Sequence, residues 1–130
     1  MSSEPTPVRL VIVDDQRPFA EALSMLIDRD ERVEVVGTAS HASEAIDVAL
    51  ACDADVVLMD MNLPDVDGME ATRRLHSLDP TKRVIVFSAH DASDAEQDAL
   101  AAGAHAYLLK THDADRVVDA ILDVCGRGKS

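Results

Sequence analysis

Tryptophan is absent from the chain, and two phenylalanines and one tyrosine are its only aromatic side chains in 130 residues. Any core must therefore be built from Val, Leu, Ile, Ala and Met. Cysteine is nearly as scarce. Cys52 and Cys125 fall inside helical patterns, and their spacing suggests neither a zinc site nor a disulfide framework, so a reduced cytoplasmic setting is expected. No apolar run approaches the roughly 18 residues of a membrane-spanning helix. The opening "MSSEPTPV" has neither the basic nor the apolar segment of a secretory signal. Positive charge is in deficit as well: 12 Lys and Arg stand against 25 Asp and Glu, a formal net charge of −13. Phosphate binding needs Lys and Arg, so direct nucleic-acid binding and contact with an anionic membrane are not expected, whereas cations are favoured.

What is present is 47% hydrophobic residues, too many for a disordered chain, in a length suited to one domain. Residues 1–7 are polar, carry two prolines and read as a flexible lead-in. From there apolar runs alternate with helical patterns. The strand-like runs are "VRLVIV" (8–13), "VEVVG" (33–37), "DVVLMD" (55–60), "RVIVFS" (83–88) and "AYLLK" (106–110). Between them, Phe19, Leu23, Leu26 and Ile27 share a helical face, as do Ala42, Ala45, Ile46, Ala49 and Leu50. "GMEATRRLHSL" (68–78) is a third helix, and "SDAEQDALAAG" (93–103) a fourth, with a Ser93/Glu96 capping box and a Gly103 stop. Val117, Val118, Ile121, Leu122 and Cys125 share the face of a last helix over 113–126. Near-continuous apolar strands alternating with helices define a doubly wound parallel α/β sheet, helices on both faces. The domain is expected over 8–125, with 126–130 a C-terminal tail or the start of a linker.

Right-handed crossovers bring every strand's C-terminal end to one edge of such a sheet, where ligands bind. The first strand delivers Asp14 and Asp15 there, the third Asp60, the fourth Ser88 and the fifth Lys110. Three neighbouring carboxylates repel unless something neutralises them. A hard divalent cation does so, and Mg²⁺ suits a few carboxylates with waters and phosphate oxygens. Cation, lysine and hydroxyl around one carboxylate make a phosphoryl pocket with Asp60 as nucleophile. The loop "MNLPDVDG" turns sharply beside it, and the carbonyl of Asn62 is a candidate metal ligand.

Four motifs in order carry a resemblance: "DD" after the first strand, D-x-N-x-P-x-x-x-G from Asp60 to Gly68, "SA" at 88–89 and "GAHAYLLK" at 103–110. The chain resembles the receiver domain of bacterial two-component response regulators, and "VVLMDMNLPDVDG" and "AYLLK" look most like its NarL/FixJ-type subfamily. There a LuxR-type helix-turn-helix usually follows the receiver. The resemblance implies a flavodoxin-like sheet of strand order 2-1-3-4-5 with five helices. It implies Asp60 as phosphoacceptor, Mg²⁺ or Mn²⁺ on Asp14, Asp15, Asp60 and Asn62, and Lys110 on the phosphoryl group. Ser88 and Tyr107 would form a switch that alters the surface of helix 4, strand 5 and helix 5. The donor would be a sensor histidine kinase or phosphotransfer protein, and phosphorylation could bring a homodimer. The chain would be a signalling switch in the control of transcription and not an enzyme, beyond its own phosphorylation and dephosphorylation. It departs from the family at Thr111, where proline after a cis bond is common. A cis bond before another residue costs about 2.5–4 kcal/mol, which leaves the reach of Lys110 for the structure to fix.

Blander readings stand beside these. Asp14 and Asp15 could cap the first helix, Asp60 could be a turn residue, Ser88 an ordinary loop serine, Lys110 a solvated strand-end lysine and Tyr107 a packed strand residue. His41, His76, His90, His105 and His112 share no ligand spacing and read as surface or partly packed. "GRGKS" lacks the first glycine of a phosphate-binding loop and no helix follows it. Two other functions remain open. A phosphorylation-independent dimerisation or scaffold module would need none of the pocket chemistry. A Mg²⁺-dependent phosphohydrolase would use a strand-end aspartate, but it wants an acid where Asn62 stands and a cap domain for its substrate.

Overall fold

The structure is a computed structural model of the chain in which residues 6–61, 63, 65, 68–89, 93–111 and 113–126 are described, the side chain of Ser93 excepted. Asn62, His90, His112, the Ser93 cap and residues 127–130 of the tail lie outside what is described. The elements run β1 (Val8–Val13), α1 (Arg17–Ile27), β2 (Val33–Ala39), α2 (Ala42–Ala51), β3 (Val56–Asp60), α3 (Gly68–Leu78), β4 (Arg83–Ser88), α4 (Ser93–Ala101), β5 (Ala106–Leu109) and α5 (Ala114–Val124). The five strands form one sheet in the order β2-β1-β3-β4-β5, every pair parallel. The doubly wound fold and its strand order are as expected.

Alternation along the strands builds two cores. Leu10, Ile12, Leu58, Ile85 and Phe87 meet Ala20, Leu23 and Ile27 of α1 and Val117, Val118, Ile121 and Leu122 of α5. Val11, Val13, Val57, Met59, Val84 and Val86 meet alanines of α2, Met69, Ala71 and Leu75 of α3, and Ala99 of α4. The chain has few large aromatics, so aliphatic strands and alanine-lined helices fill most of the interior. Burying both strand faces explains why the strands read as continuous apolar runs. Among the described residues no helix is long and apolar enough to cross a membrane.

Three details differ from expectation. β2 continues past Gly37 to Ala39, because Thr38 and Ala39 stay in register with Ile12 and Val13 after a bulge at Val36. Leu26 and Leu50 are 45% and 42% exposed, since the smaller Ala20 and Ala49 take up the sheet-facing stripe with Leu23, Ile27, Ala42 and Ala45. β5 ends at Leu109, and Lys110 begins the turn, although its N–H still donates to the Ser88 carbonyl at 2.8 Å.

Candidate functional site

β1 ends by passing one more ladder bond outward, the Asp14 N–H donating to the Ala39 carbonyl at 2.9 Å. That bond places the Asp14 side chain at the sheet's C-terminal edge, only 1% exposed. Its Oδ1 accepts the Gln16 N–H at 2.9 Å. Gln16 itself is the N-cap of α1 and makes no side-chain capping bond, with a proline in the first helical positions. The capping reading of the acidic pair therefore explains one oxygen of Asp14. Its other oxygen, Oδ2, is buried and accepts no hydrogen bond of good geometry. Lys110 Nζ lies 2.9 Å from it as an ion pair.

Asp60 is the last residue of β3, 2% exposed and in register with Phe87 of β4. Its Oδ2 is 3.4 Å from the same lysine nitrogen. Asp15 stands beside them, exposed. Asp14, Asp15 and Asp60 each bring a carboxylate oxygen within 4.8 Å of the other two. Three carboxylates and one ammonium leave two negative charges over, and two of the acids are buried. Unmatched buried charge costs several kcal/mol per ion. One divalent cation would balance the set. Oxygen-only donors, with a buried Asp14 oxygen that accepts no hydrogen bond and meets the Lys110 ammonium, fit a hard ion such as Mg²⁺.

Lys110 reaches the pocket over a trans bond to Thr111, since the described chain has no cis peptide. Its side chain is 14% exposed. Two rings flank its ammonium, Phe19 with its centroid 5.0 Å away and Phe87 at 5.2 Å. Ser88 closes β4, 3% exposed, with its carbonyl holding the Lys110 backbone. Tyr107 lies one strand further out, half-buried, paired with Val86 and packed against the core on the α2–α3–α4 side. His41, His76 and His105 are exposed, as expected.

The segment after Asp60 is held from both ends. Gly68 opens α3 against the Asp60 backbone: a Cβ there would lie 2.3 Å from the Asp60 carbonyl oxygen and 2.9 Å from the Met61 Cα. Only glycine permits that approach. The Gly68 N–H donates to the Met61 carbonyl at 2.8 Å, and the buried Thr72 hydroxyl donates to the Gly68 carbonyl at 2.7 Å. Midway, Asp65 accepts the Ala42 and Ser43 N–H groups at 2.8 and 3.1 Å, capping α2 from across the loop. Asp65, Phe19 and Phe87 were not singled out as site residues from the sequence. The rarity of phenylalanine was the one available signal. An open hollow of about 720 Å³ is lined by Asp15, Arg17, Phe19, Ser40 and His41.

A parallel α/β sheet that gathers three aspartates and a lysine at its carboxyl edge is the architecture of a signal-receiving domain. The chain belongs to the response regulator receiver domain family, whose model matches residues 10–122. It is 36% identical over 121 residues to the transcriptional regulatory protein DegU of Brevibacillus brevis, covering 93% of this chain and 51% of DegU. It thus spans about half the length of that relative. The receiver domain of the putative response regulator NarL from Mycobacterium tuberculosis superposes with a TM-score of 0.89 at 34% identity, covering 96% of this chain and all of that one. A chain of the CheX–CheY–BeF₃–Mg²⁺ complex from Borrelia burgdorferi superposes with a TM-score of 0.83 at 26% identity, over 92% of this chain and 90% of that one. The NarL/FixJ-like assignment and a place in two-component signalling follow.

Proposed function

We propose that the chain is a phosphoacceptor switch in which Asp60 takes a phosphoryl group from the phosphohistidine of a sensor kinase or phosphotransfer protein. The observation that carries this is Lys110 Nζ between two buried carboxylates, 2.9 Å from Asp14 and 3.4 Å from Asp60, with Asp14 Oδ2 left without a hydrogen bond. Asp14, Asp15 and Asp60 would hold Mg²⁺ or Mn²⁺ with the carbonyl of Asn62. When bound, the ion offsets negative charge on the phosphoryl oxygens.

Asp60 Oδ attacks phosphorus in line. The O–P bond forms as the donor's N–P bond breaks, and the leaving imidazole keeps the electron pair and takes a proton from water. Lys110 supplies charge to the transferring group without itself giving up a proton. Reversal to the resting state is hydrolysis: water attacks phosphorus, the O–P bond breaks, and phosphate leaves Asp60 as a carboxylate. Ser88 and Tyr107 sit on neighbouring strands β4 and β5, so a phosphoryl group that draws on the Ser88 hydroxyl can bias the packing of Tyr107. The readout would be the α4–β5–α5 surface, offered to a fused or separate output or to a second copy. With a net charge of −13 this chain is not the part that would grip nucleic acid.

The test is intact mass after Mg²⁺ and a small phosphodonor, on wild type and Asp60→Ala, with beryllofluoride binding alongside. One phosphoryl adduct on wild type, absent from Asp60→Ala and from EDTA-treated protein, is expected. No adduct and no beryllofluoride binding would leave a scaffold that keeps the pocket without its chemistry.

A further inference from the structure

Phe19 on α1 and Phe87 on β4 are the chain's only phenylalanines, and both lie against the same lysine. Their ring centroids are 5.9 Å apart with the planes inclined by 28°. Lys110 Nζ is 5.0 Å from one centroid and 5.2 Å from the other, within the range of cation–π attraction. The same nitrogen touches Asp14 Oδ2 at 2.9 Å and Asp60 Oδ2 at 3.4 Å.

We propose that Phe19 and Phe87 form an aromatic platform that positions the Lys110 ammonium at Asp60 for phosphoryl transfer. The inference rests on the function proposed above and makes both rings positioning residues. A lysine side chain is flexible, and its ammonium prefers water. Here Asp14 at 2.9 Å and Asp60 at 3.4 Å compete for the nitrogen, so charge alone does not fix it at the acceptor. Two π faces add a neutral attraction that does not change when Asp60 gains a phosphoryl group and the local charge is redistributed. The rings also exclude water from that side of the ammonium, which strengthens its remaining contacts. A leucine pair would fill similar space without offering a negative face.

The competing account is that the rings are ordinary core. Phe87 is 2% exposed, and Phe19 packs at the margin of the α1–α5 core. Two measurements separate the accounts. Lys82, Lys110 and Lys129 are the only lysines, so their ε-CH₂ signals form a simple NMR spectrum. Ring currents should set the Lys110 signal upfield of the other two. Phe19→Leu should return it toward them, and Phe19→Tyr should keep it displaced.

With Mg²⁺ saturating and a small acyl phosphate as donor, Phe19→Leu should slow Asp60 phosphorylation about 5- to 30-fold, the rate equivalent of a desolvated cation–π contact. Phe19→Tyr should restore the rate. In a Lys110→Gln background, Phe19→Leu should cost nothing further. An undisplaced Lys110 signal in wild type would overturn the platform. So would a Phe19→Leu loss of the same size in the Lys110→Gln background. If Phe19→Leu fails to fold, Phe87→Leu is read in the same way. If wild type takes up no phosphoryl group, the proposed function fails, and the lysine signal alone decides whether the rings hold the ammonium.

Discussion

Lys82 is buried and Lys110 half-buried at opposite edges of the sheet, and their partners differ. Lys82, 6% exposed, meets Asp53 at 2.9 Å, but that carboxylate is 90% exposed. It ties the loop before β3 to the turn before β4 and is a structural pair. Lys110, 14% exposed, meets two carboxylates more deeply buried than itself. Solvent can relieve the first pair and not the second, so burial of the acid, more than the presence of an ion pair, distinguishes the lysine at the candidate site. A third pair allows the effect of a cation on a carboxylate to be measured where water does have access. Asp30 accepts the Arg32 N–H and Nε at 2.9 Å each and lies 2.7 Å from its Nη2. These bonds to Arg32 lower the Asp30 carboxyl to about 2 from an ordinary 3.8. Carbon-detected NMR titration should find that value, and Arg32→Gln should move it up toward 3.8. The folded-state pKa is the depressed one, so this pair's contribution to stability is whole above about pH 4 and fades as pH falls toward 2. Titration near 3.8 in wild type would mean that the fork of bonds does not persist in solution.

At the scale of elements, the site depends on one loop between β3 and α3, and that loop leans on α2. Asp65 replaces the side-chain cap that His41, at the N-cap of α2, does not supply. An anionic acceptor at a helix N-terminus also meets the positive end of the helix dipole. Asp65→Ala should therefore lower stability by about 0.5–2 kcal/mol, the usual range for a lost cap. Urea unfolding with an unchanged slope would show it, and Asp65→Asn should recover part of the loss. A neutral Asp65→Ala would mean that water caps α2 equally well. That contact also marks where reading from sequence stops. The strands were legible because they are apolar on both faces, and Asp14, Asp60, Ser88 and Lys110 because parallel strands must end together. Asp65 on α2, and Phe19 and Phe87 on Lys110, are contacts between residues far apart in the chain. No local period or turn signal encodes such meetings. The overrun of β2 to Ala39 was missed for a related reason: Gly37 reads locally as a stop, and only its pairing with β1 carries the strand onward.

For the molecule as a whole, a net charge of −13 on 130 residues opposes compaction. Monovalent salt should relieve part of that strain, because charges further apart than about 10 Å are screened at 0.1 M ionic strength. A cation held at Asp14, Asp15 and Asp60 acts differently. It would bind only the folded arrangement, so its effect would follow mass action at the site and not ionic strength. At a concentration 100 times its dissociation constant it should add about 2.7 kcal/mol. For a chain of this size that is on the order of 10 °C in midpoint. Thermal unfolding with Mg²⁺ titrated at constant ionic strength separates the two effects. Wild type should rise with Mg²⁺ well beyond its response to matched NaCl. Asp60→Ala, which removes one carboxylate and relieves the repulsion with Asp14, should start more stable than wild type without Mg²⁺ and gain less from it. Equal gains from Mg²⁺ in both proteins would mean that the ion acts on the diffuse acidic surface, and the three-aspartate pocket would lose its claim to be a metal site.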